Sequence, residues 1–459
     1  MHRSKSIGRG SRVPQWLRSG LIVLFALAAG GRASPWAASA VAAEPLKTAP
    51  NVVLIVGDDQ AYGDFGFMGH KHIQTPRIDK LAAESLTFRN GYVPSSLCRP
   101  SLATILTGLY PHQHKIFSND PPGPKGSTSG KPTRGADFVA MRERQIAHID
   151  GAPTLPRLLG RAGYLSFQTG KWWEGNYKRG GFTHGMTEGT RHGDAGLVIG
   201  RETMQPIYDF VDNSVKEQKP FFVWYAPFMP HTPHTPPEKW LAKYKDVAPT
   251  ENIAKYWAMC SWHDEKCGEL LDFLAERKLA ENTLVIYLTD NGWIQNPNGN
   301  NYAPKSKQSQ YDGGLRTPIL VRYPGRVKPE VREELANSID VAPTILKACG
   351  LSPVEGMPGS QMQGVDLLDA SSVAARKQTF GEVFTHNAVD VDEPALSVRY
   401  RWTREGNWKL IVPSKPNEPN GEVELYDLAA DPTETKNLAG EKADVVARLQ
   451  ASLDAWWKP

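Results

Sequence analysis

Two near-continuous apolar runs, each stopping at a pair of oxygen-bearing side chains, constrain this chain more than any other feature. The stretch Asn51 to Val56 is mostly β-branched and, past Gly57, ends in Asp58-Asp59; Leu284 to Thr289 ends in Asp290-Asn291. Unbroken runs of this length suit strands buried on both faces of a parallel sheet. Phe221 to Tyr225 and Ile319 to Arg322 read the same way. Helical patterns fall at Arg77 to Glu84, Leu102 to Thr107, Thr154 to Ala162, Ile253 to Arg277 and Val341 to Ala348. Strands alternating with helices predict an α/β fold, a mostly parallel central sheet flanked by helices. Such sheets place ligands at the carboxyl edge, where both pairs stand. Taken alone, one acidic pair is most often a capping or loop feature. Two strand ends presenting adjacent carboxylate and amide oxygens can surround one hard cation. Zinc is disfavoured, because no His/Cys cluster accompanies them.

The chain has 459 residues, enough for two or three domains. Asn119 to Gly135 is rich in Pro, Gly, Ser and Thr and reads as a surface loop, placed to return toward the rim of a site and select its substrate. From about Thr379 the pattern changes to short strands, Trp408 to Val412 and Glu424 to Leu428, and a last helix with Val446, Leu449, Leu453 and Trp456 on one face. This predicts a main domain over 44–378 and a small α+β C-terminal part over 379–459.

The first 43 residues read as a secretory leader: a basic stretch, the apolar run Gly20 to Gly30, then small residues ending at Ala40-Val41-Ala42-Ala43. The apolar run is shorter than the ~20 residues of a spanning helix, which favours cleavage over a stable membrane anchor. All six basic residues before position 44 stand without an acid, so cleavage takes the formal charge from +4 to −2. A broad basic face for nucleic acid then loses its support. The expected location is the periplasm or the cell exterior. Only four cysteines occur, Cys98, Cys260, Cys267 and Cys349, so no disulfide framework holds this exported chain. Cys260 and Cys267 lie two turns apart on one helix face and cannot bridge.

Cys98 precedes Pro100-Ser101 and a short helical pattern ending at Gly108, which fits helix start and stop rules. A helix N-terminus favours an anion, although a buried structural cysteine fits the same spacing. Cys98-Arg99-Pro100-Ser101, followed by Leu106-Thr107-Gly108-Leu109-Tyr110-Pro111, resembles the signature of the sulfatases. Gly170-Lys171-Trp172, Pro230-His231-Thr232-Pro233, Asp290-Asn291-Gly292 and Lys307 to Arg316 resemble later blocks of that family in the right order, and Leu425 to Leu428 with Asn437-Leu438 resembles its ending.

The resemblance implies an alkaline phosphatase-like fold and a sulfuric ester hydrolase. It implies that Cys98 is converted by a maturation enzyme to formylglycine, whose hydrate attacks sulfur and then expels sulfate. It further implies calcium, or magnesium, held by Asp58, Asp59, Asp290, Asn291 and the modified Cys98. Lys171, His231 and Lys307 would contact the sulfate, with His231 as acid toward the leaving oxygen. The expected substrate is a sulfated carbohydrate. Trp172, Trp173 and Trp293 flank these residues, where they can stack on sugar faces or pack in the core. Two positions depart from the pattern: Leu102 replaces the signature arginine, and Trp173 replaces the histidine two residues after Lys171. Arg99, His112 and His114 stand near enough to compensate. Two other readings stay open: a phosphodiesterase or phosphonate hydrolase of the same fold, and a non-catalytic binder of sulfated glycans.

Overall fold

The computed structural model describes residues 49–123, 135–352 and 362–459. The leader over 1–43 and most of the Asn119 to Gly135 loop lie outside the described residues. Among the described residues twelve strands form two sheets: β1 Asn51–Gly57, β2 Leu86–Tyr92, β3 Leu165–Gly170, β4 His184–Gly185, β5 Phe221–Ala226, β6 Thr283–Thr289, β7 Ile319–Arg322 and β8 Glu330–Asn337, then β9 Gln378–Phe384, β10 Val398–Glu405, β11 Trp408–Pro413 and β12 Glu424–Asp427. The large sheet has the order β4-β3-β5-β1-β6-β7-β2-β8. Every pairing in it is parallel except those of β7, which runs against both β6 and β2. This is the expected alkaline phosphatase-like architecture.

Period-two side chains divide the core between the two faces of this sheet. Val52, Leu54 and Val56 of β1 and Leu284, Ile286 and Leu288 of β6 pack on one face against helices Cys98–Thr107, Leu155–Gly160 and Val341–Ala348. Val53 and Ile55 of β1, with Val285 and Tyr287 of β6, pack on the other against Pro76–Ala83, Gln205–Lys216 and Glu251–Glu276. Both strands are buried along their whole length, which is why they carry no polar alternation. Cys260 and Cys267 sit on the helix Glu251–Glu276, and all four cysteines are free and buried.

The second sheet is antiparallel, in the order β12-β11-β10-β9. Leu449 and Leu453 of the helix Ala443–Trp456 cover it through Leu410, Val412 and Leu425. A buried ionic cluster ties the two sheets together. Lys409 of β11 bonds Asp312 at 2.8 Å and Glu434 at 2.8 Å, while the Tyr92 hydroxyl at the end of β2 donates to Asp312 at 2.9 Å. Trp402 Nε1 and the Glu382 amide both donate to the Pro94 carbonyl at 3.0 Å, and a Cβ at Gly381 would lie 2.3 Å from that oxygen. The small sheet therefore roofs the segment that leads into Cys98. Among the described residues no helix is long and apolar enough to cross a membrane.

Candidate active site

Parallel pairing brings β3, β5, β1 and β6 side by side, so their carboxyl ends share one edge. Lys171 follows β3, His231 stands in the loop after β5, Asp58-Asp59 follow β1 and Asp290-Asn291 follow β6. β2 runs parallel to these and delivers Cys98 from the same edge, and Lys307 comes from the loop between β6 and β7. The structure thus gathers all eight candidates in one place.

Backbone bonds stitch the strand ends together. Asp58 N–H donates to the Met229 carbonyl at 2.9 Å and Asp290 N–H to Gly57 at 2.8 Å. Asp59, in the left-handed region at φ 61°, donates its N–H to Asp290 Oδ1 at 3.1 Å. Lys171 N–H reaches the Ala226 carbonyl at 2.7 Å, an approach that only Gly170 before it permits, since a Cβ there would lie 1.9 Å from the same oxygen. Arg201 donates to the carbonyls of Phe228 and His231 and so fixes the loop that carries His231. Nothing in its sequence surroundings marks Arg201 for this task.

The side chains alternate in charge. Lys171 Nζ lies 2.6 Å from Asp58 Oδ1 and 3.7 Å from Asp290 Oδ2. Lys307 Nζ lies 2.6 Å from Asp59 Oδ1, which also accepts from Asn291 Nδ2 at 2.7 Å. His231 Nε2 is 3.3 Å from Asp59 Oδ2, and Cys98 Sγ is 4.0 Å from Asp59 Oδ1. Three of the site's buried oxygens have no hydrogen-bond partner among the described residues: Asp58 Oδ2, Asp290 Oδ2 and Asn291 Oδ1. Buried acceptors left unpaired are costly and call for an explanation. Ligand atoms of Asp58, Asp59, Cys98 and His231 lie within 4.8 Å of one another.

Burial raises the carboxyls of Asp58 and Asp290 above their usual range, against the pull of Lys171, and neighbouring carboxylates raise them further. The same burial opposes charge on Lys171 and Lys307, yet the surrounding carboxylates outweigh it and hold both ammonium groups firmly protonated. Burial pushes the Cys98 thiol up to about 12, although both lysines act to lower it. His231 is driven well below its ordinary value by burial and then by the two lysines. Its Nδ1 lies 2.6 Å from the Thr232 carbonyl, so Nδ1 carries the proton and Nε2 holds the lone pair.

The residues able to compensate for the two departures are engaged elsewhere. Arg99 forms a bidentate pair with Glu174, at 2.7 Å on both arms, and adds Gln145 at 2.8 Å. Its backbone N–H is capped by Asn119 Oδ1 at 3.1 Å, which steadies the helix at Cys98. His112 bonds Glu382 at 2.9 Å, and His114 bonds Thr104 at 3.1 Å. Leu102, Trp172 and Trp173 belong to the apolar core, and Trp293 packs with Tyr256 and Cys260. Arg99 and Glu174 are almost wholly buried, so Arg99→Met strands a carboxylate next to the site. We expect it to cost about 3–5 kcal/mol, read as a lower guanidinium midpoint. An unchanged midpoint would mean that the pair is not held as a buried unit.

The model of the Sulfatase family matches residues 50–351, and that of the N-sulphoglucosamine sulphohydrolase C-terminal region matches 303–458. Human arylsulfatase A is 28% identical over 88% of this chain and 86% of its own length. The N-acetylgalactosamine-6-sulfatase of Canis lupus familiaris is 27% identical over 70% of this chain, and the match spans 66% of that protein, just under two thirds. The crystal structure of the PsFucS1 sulfatase from Pseudoalteromonas sp. superposes with a TM-score of 0.66 at 19% identity, covering 88% of this chain and 89% of that one.

Proposed function

We propose, from the premise that this chain belongs to the sulfatase family, that it is exported after loss of residues 1–43 and hydrolyses a sulfate ester on a carbohydrate, using a divalent cation and a formylglycine made from Cys98. The remaining chain divides into a catalytic domain over 44–378 and a C-terminal part over 379–459. One observation carries the reading: three buried oxygens without a hydrogen bond stand at two strand ends, where Asp58 and Asp59 cluster with Cys98 and two ammonium groups and an imidazole lie alongside.

Of the donors gathered here, Asp58, Asp59, Asp290 and Asn291 offer only oxygen, as calcium or magnesium prefers, although the structure, unlike the sequence, sets Cys98 and His231 in the same cluster. Asp58, Asp59, Asp290 and Asn291 would hold the ion, which would supply Lewis acidity toward a sulfate oxygen. A thiol sulfur suits such an ion poorly, whereas an oxygen at position 98 would complete the set. The buried thiol is also firmly protonated and a weak nucleophile as it stands. The hydrate of formylglycine supplies an attacking hydroxyl and a second hydroxyl through which sulfate departs. Lys171 and Lys307 neutralise the sulfate oxygens. His231 Nε2 faces the pocket with its lone pair. Binding of an anionic ester offsets the two lysines and favours proton uptake there, so His231 can serve the leaving oxygen as acid.

The carbohydrate class draws support from the N-acetylgalactosamine-6-sulfatase relative. Leu102 and Trp173, both packed in the core, favour a second reading in which the chain only binds sulfated glycans. Protein co-expressed with a maturation enzyme separates the alternatives on 4-nitrophenyl sulfate and 4-nitrophenyl phosphate. We expect the sulfate ester to turn over at least ~100-fold faster, with loss on chelation and recovery with calcium. Preference for phosphate would favour the phosphodiesterase or phosphonate hydrolase reading, and no turnover of either the glycan binder.

A further inference from the structure

The segment Arg191–Val198 contains three successive residues with positive φ: His192 at 73°, Gly193 at 123° and Asp194 at 35°. Left-handed backbone is unfavourable for residues other than glycine and persists only where its surroundings impose it. Here they do. The Asp194 carboxylate accepts the backbone N–H groups of Glu188, Gly189, Thr190 and Ala195 at 2.8–3.0 Å. The His192 carbonyl accepts Trp172 N–H at 3.0 Å, and a Cβ on Gly193 would lie 2.4 Å from the Gly170 carbonyl oxygen. The segment is therefore pressed onto the end of β3 from which Lys171 projects.

This sets the His192 imidazole beside the candidate site. Its ring meets Trp173 edge-on at 4.4 Å and lies 6.1 Å from the ring of His231. Arg191 Nη1 stands 2.6 Å from His192 Nε2. A guanidinium can only donate, so Nε2 accepts, the ring is neutral and its proton sits on Nδ1. Burial, with Lys171 and Arg191, pushes the imidazole far below its ordinary value, in the same direction. Arg191 is itself pinned by a two-armed pair with Asp120, at 3.0 and 2.9 Å, and by stacking 4.5 Å over Trp173. Nδ1–H has no partner among the described residues. The result is a neutral donor of fixed tautomer, left unused among the described residues, on a ring 5.6 Å from that of Phe228, over which Lys171 Nζ lies at 5.5 Å.

We propose that His192 is a substrate-binding residue that donates its Nδ1–H to an oxygen of the sulfate group, beside Lys171. The proposal rests on the sulfatase reading and extends it to a side chain outside the recognised blocks. Its contact is made in ground state and transition state alike, so it acts on binding more than on turnover.

The test uses full-length protein, with inorganic sulfate as probe in calorimetry and 4-nitrophenyl sulfate for kinetics. His192→Gly tolerates the backbone angle but has no donor. His192→Asn also tolerates it and offers an amide N–H at the same distance from the backbone. We expect His192→Gly to weaken sulfate binding about 10- to 100-fold and to raise KM with little change in kcat, and His192→Asn to recover most of the loss. In wild-type protein labelled with 15N-histidine, the Nδ1 resonance of His192 should move when sulfate is added, a readout that does not depend on any variant folding. Equal sulfate affinity of wild type and His192→Gly, or an unmoved Nδ1 resonance at saturating sulfate, would overturn the proposal while leaving the sulfatase reading intact. Wild-type protein with neither sulfate affinity nor sulfate-ester turnover would overturn both.

Discussion

Cys98→Ala will lose about 10⁴- to 10⁶-fold of sulfate-ester turnover while keeping its circular dichroism spectrum and melting temperature close to those of the parent. The side chain removed is small and fully buried at the first turn of the helix Cys98–Thr107, and the helix keeps its other anchors, including the Asn119 cap. The size of the loss follows from the state of the sulfur. With its thiol pushed up to about 12, an unconverted cysteine offers almost no thiolate at neutral pH and no route for sulfate to leave. On the proposed reading activity requires conversion, and peptide mass spectrometry over Asn90 to Leu109 tests it directly: active preparations should carry formylglycine at position 98. Undiminished turnover in the alanine variant would remove Cys98 from the chemistry altogether.

Asp290→Asn has a large effect through polarity, not shape. The two backbone N–H groups at Oδ1, from Asp59 at 3.1 Å and Asn291 at 2.7 Å, oblige the new amide to keep its oxygen there. Its NH₂ then replaces Oδ2, and two donors point at the unpartnered oxygens and at Lys171, only 3.7 Å away. Calcium affinity should fall by about 100-fold or more, and turnover with it. Stability should respond with opposite signs in the two states. Burial raises the Asp290 carboxyl, so its ionised form is a cost in the cation-free protein, and the neutral amide removes that cost. The variant should melt no lower than the parent in chelator, yet gain far less on adding calcium. Equal calcium affinity in calorimetry would exclude Asp290 as a ligand.

How much of this could be read beforehand depends on whether the local pattern and the tertiary environment agree. β1 and β6 announce themselves because both of their faces are buried, and β7 and the helix Val341–Ala348 keep their expected limits for the same reason. β8 does not: Glu330 to Glu334 carries charges at helix-like spacing, and only its last three residues are buried. β10 is similarly disguised, since Arg401 and Arg404 are satisfied by Asp454 and Tyr92, partners far away in the chain. In the site, the acids at the two strand ends were visible as chemistry from the sequence alone. Lys171, His231 and Lys307 stood out only through resemblance, because a lysine or a loop histidine by itself carries no pattern. His192 and Arg201 were invisible. The turn residues Gly193 and Asp194 mark a bend, but nothing local says that the bend lands on the end of β3.

The roof over Pro94, just ahead of Cys98, also imposes an order in time. Pro94 and Trp402, whose bond closes that roof, are 308 residues apart. At ribosomal speeds of about 5–20 residues per second, the cysteine exists for roughly 15–60 s before the strand that roofs the segment leading into it has been made. In the finished protein Cys98 is 1% exposed and offers an enzyme no substrate peptide. Any catalyst that oxidises it thus competes with folding, and the window is set by chain length: a slower ribosome or export machinery lengthens it, while premature closure of β9 and β10 would leave a well-folded but permanently unconverted fraction.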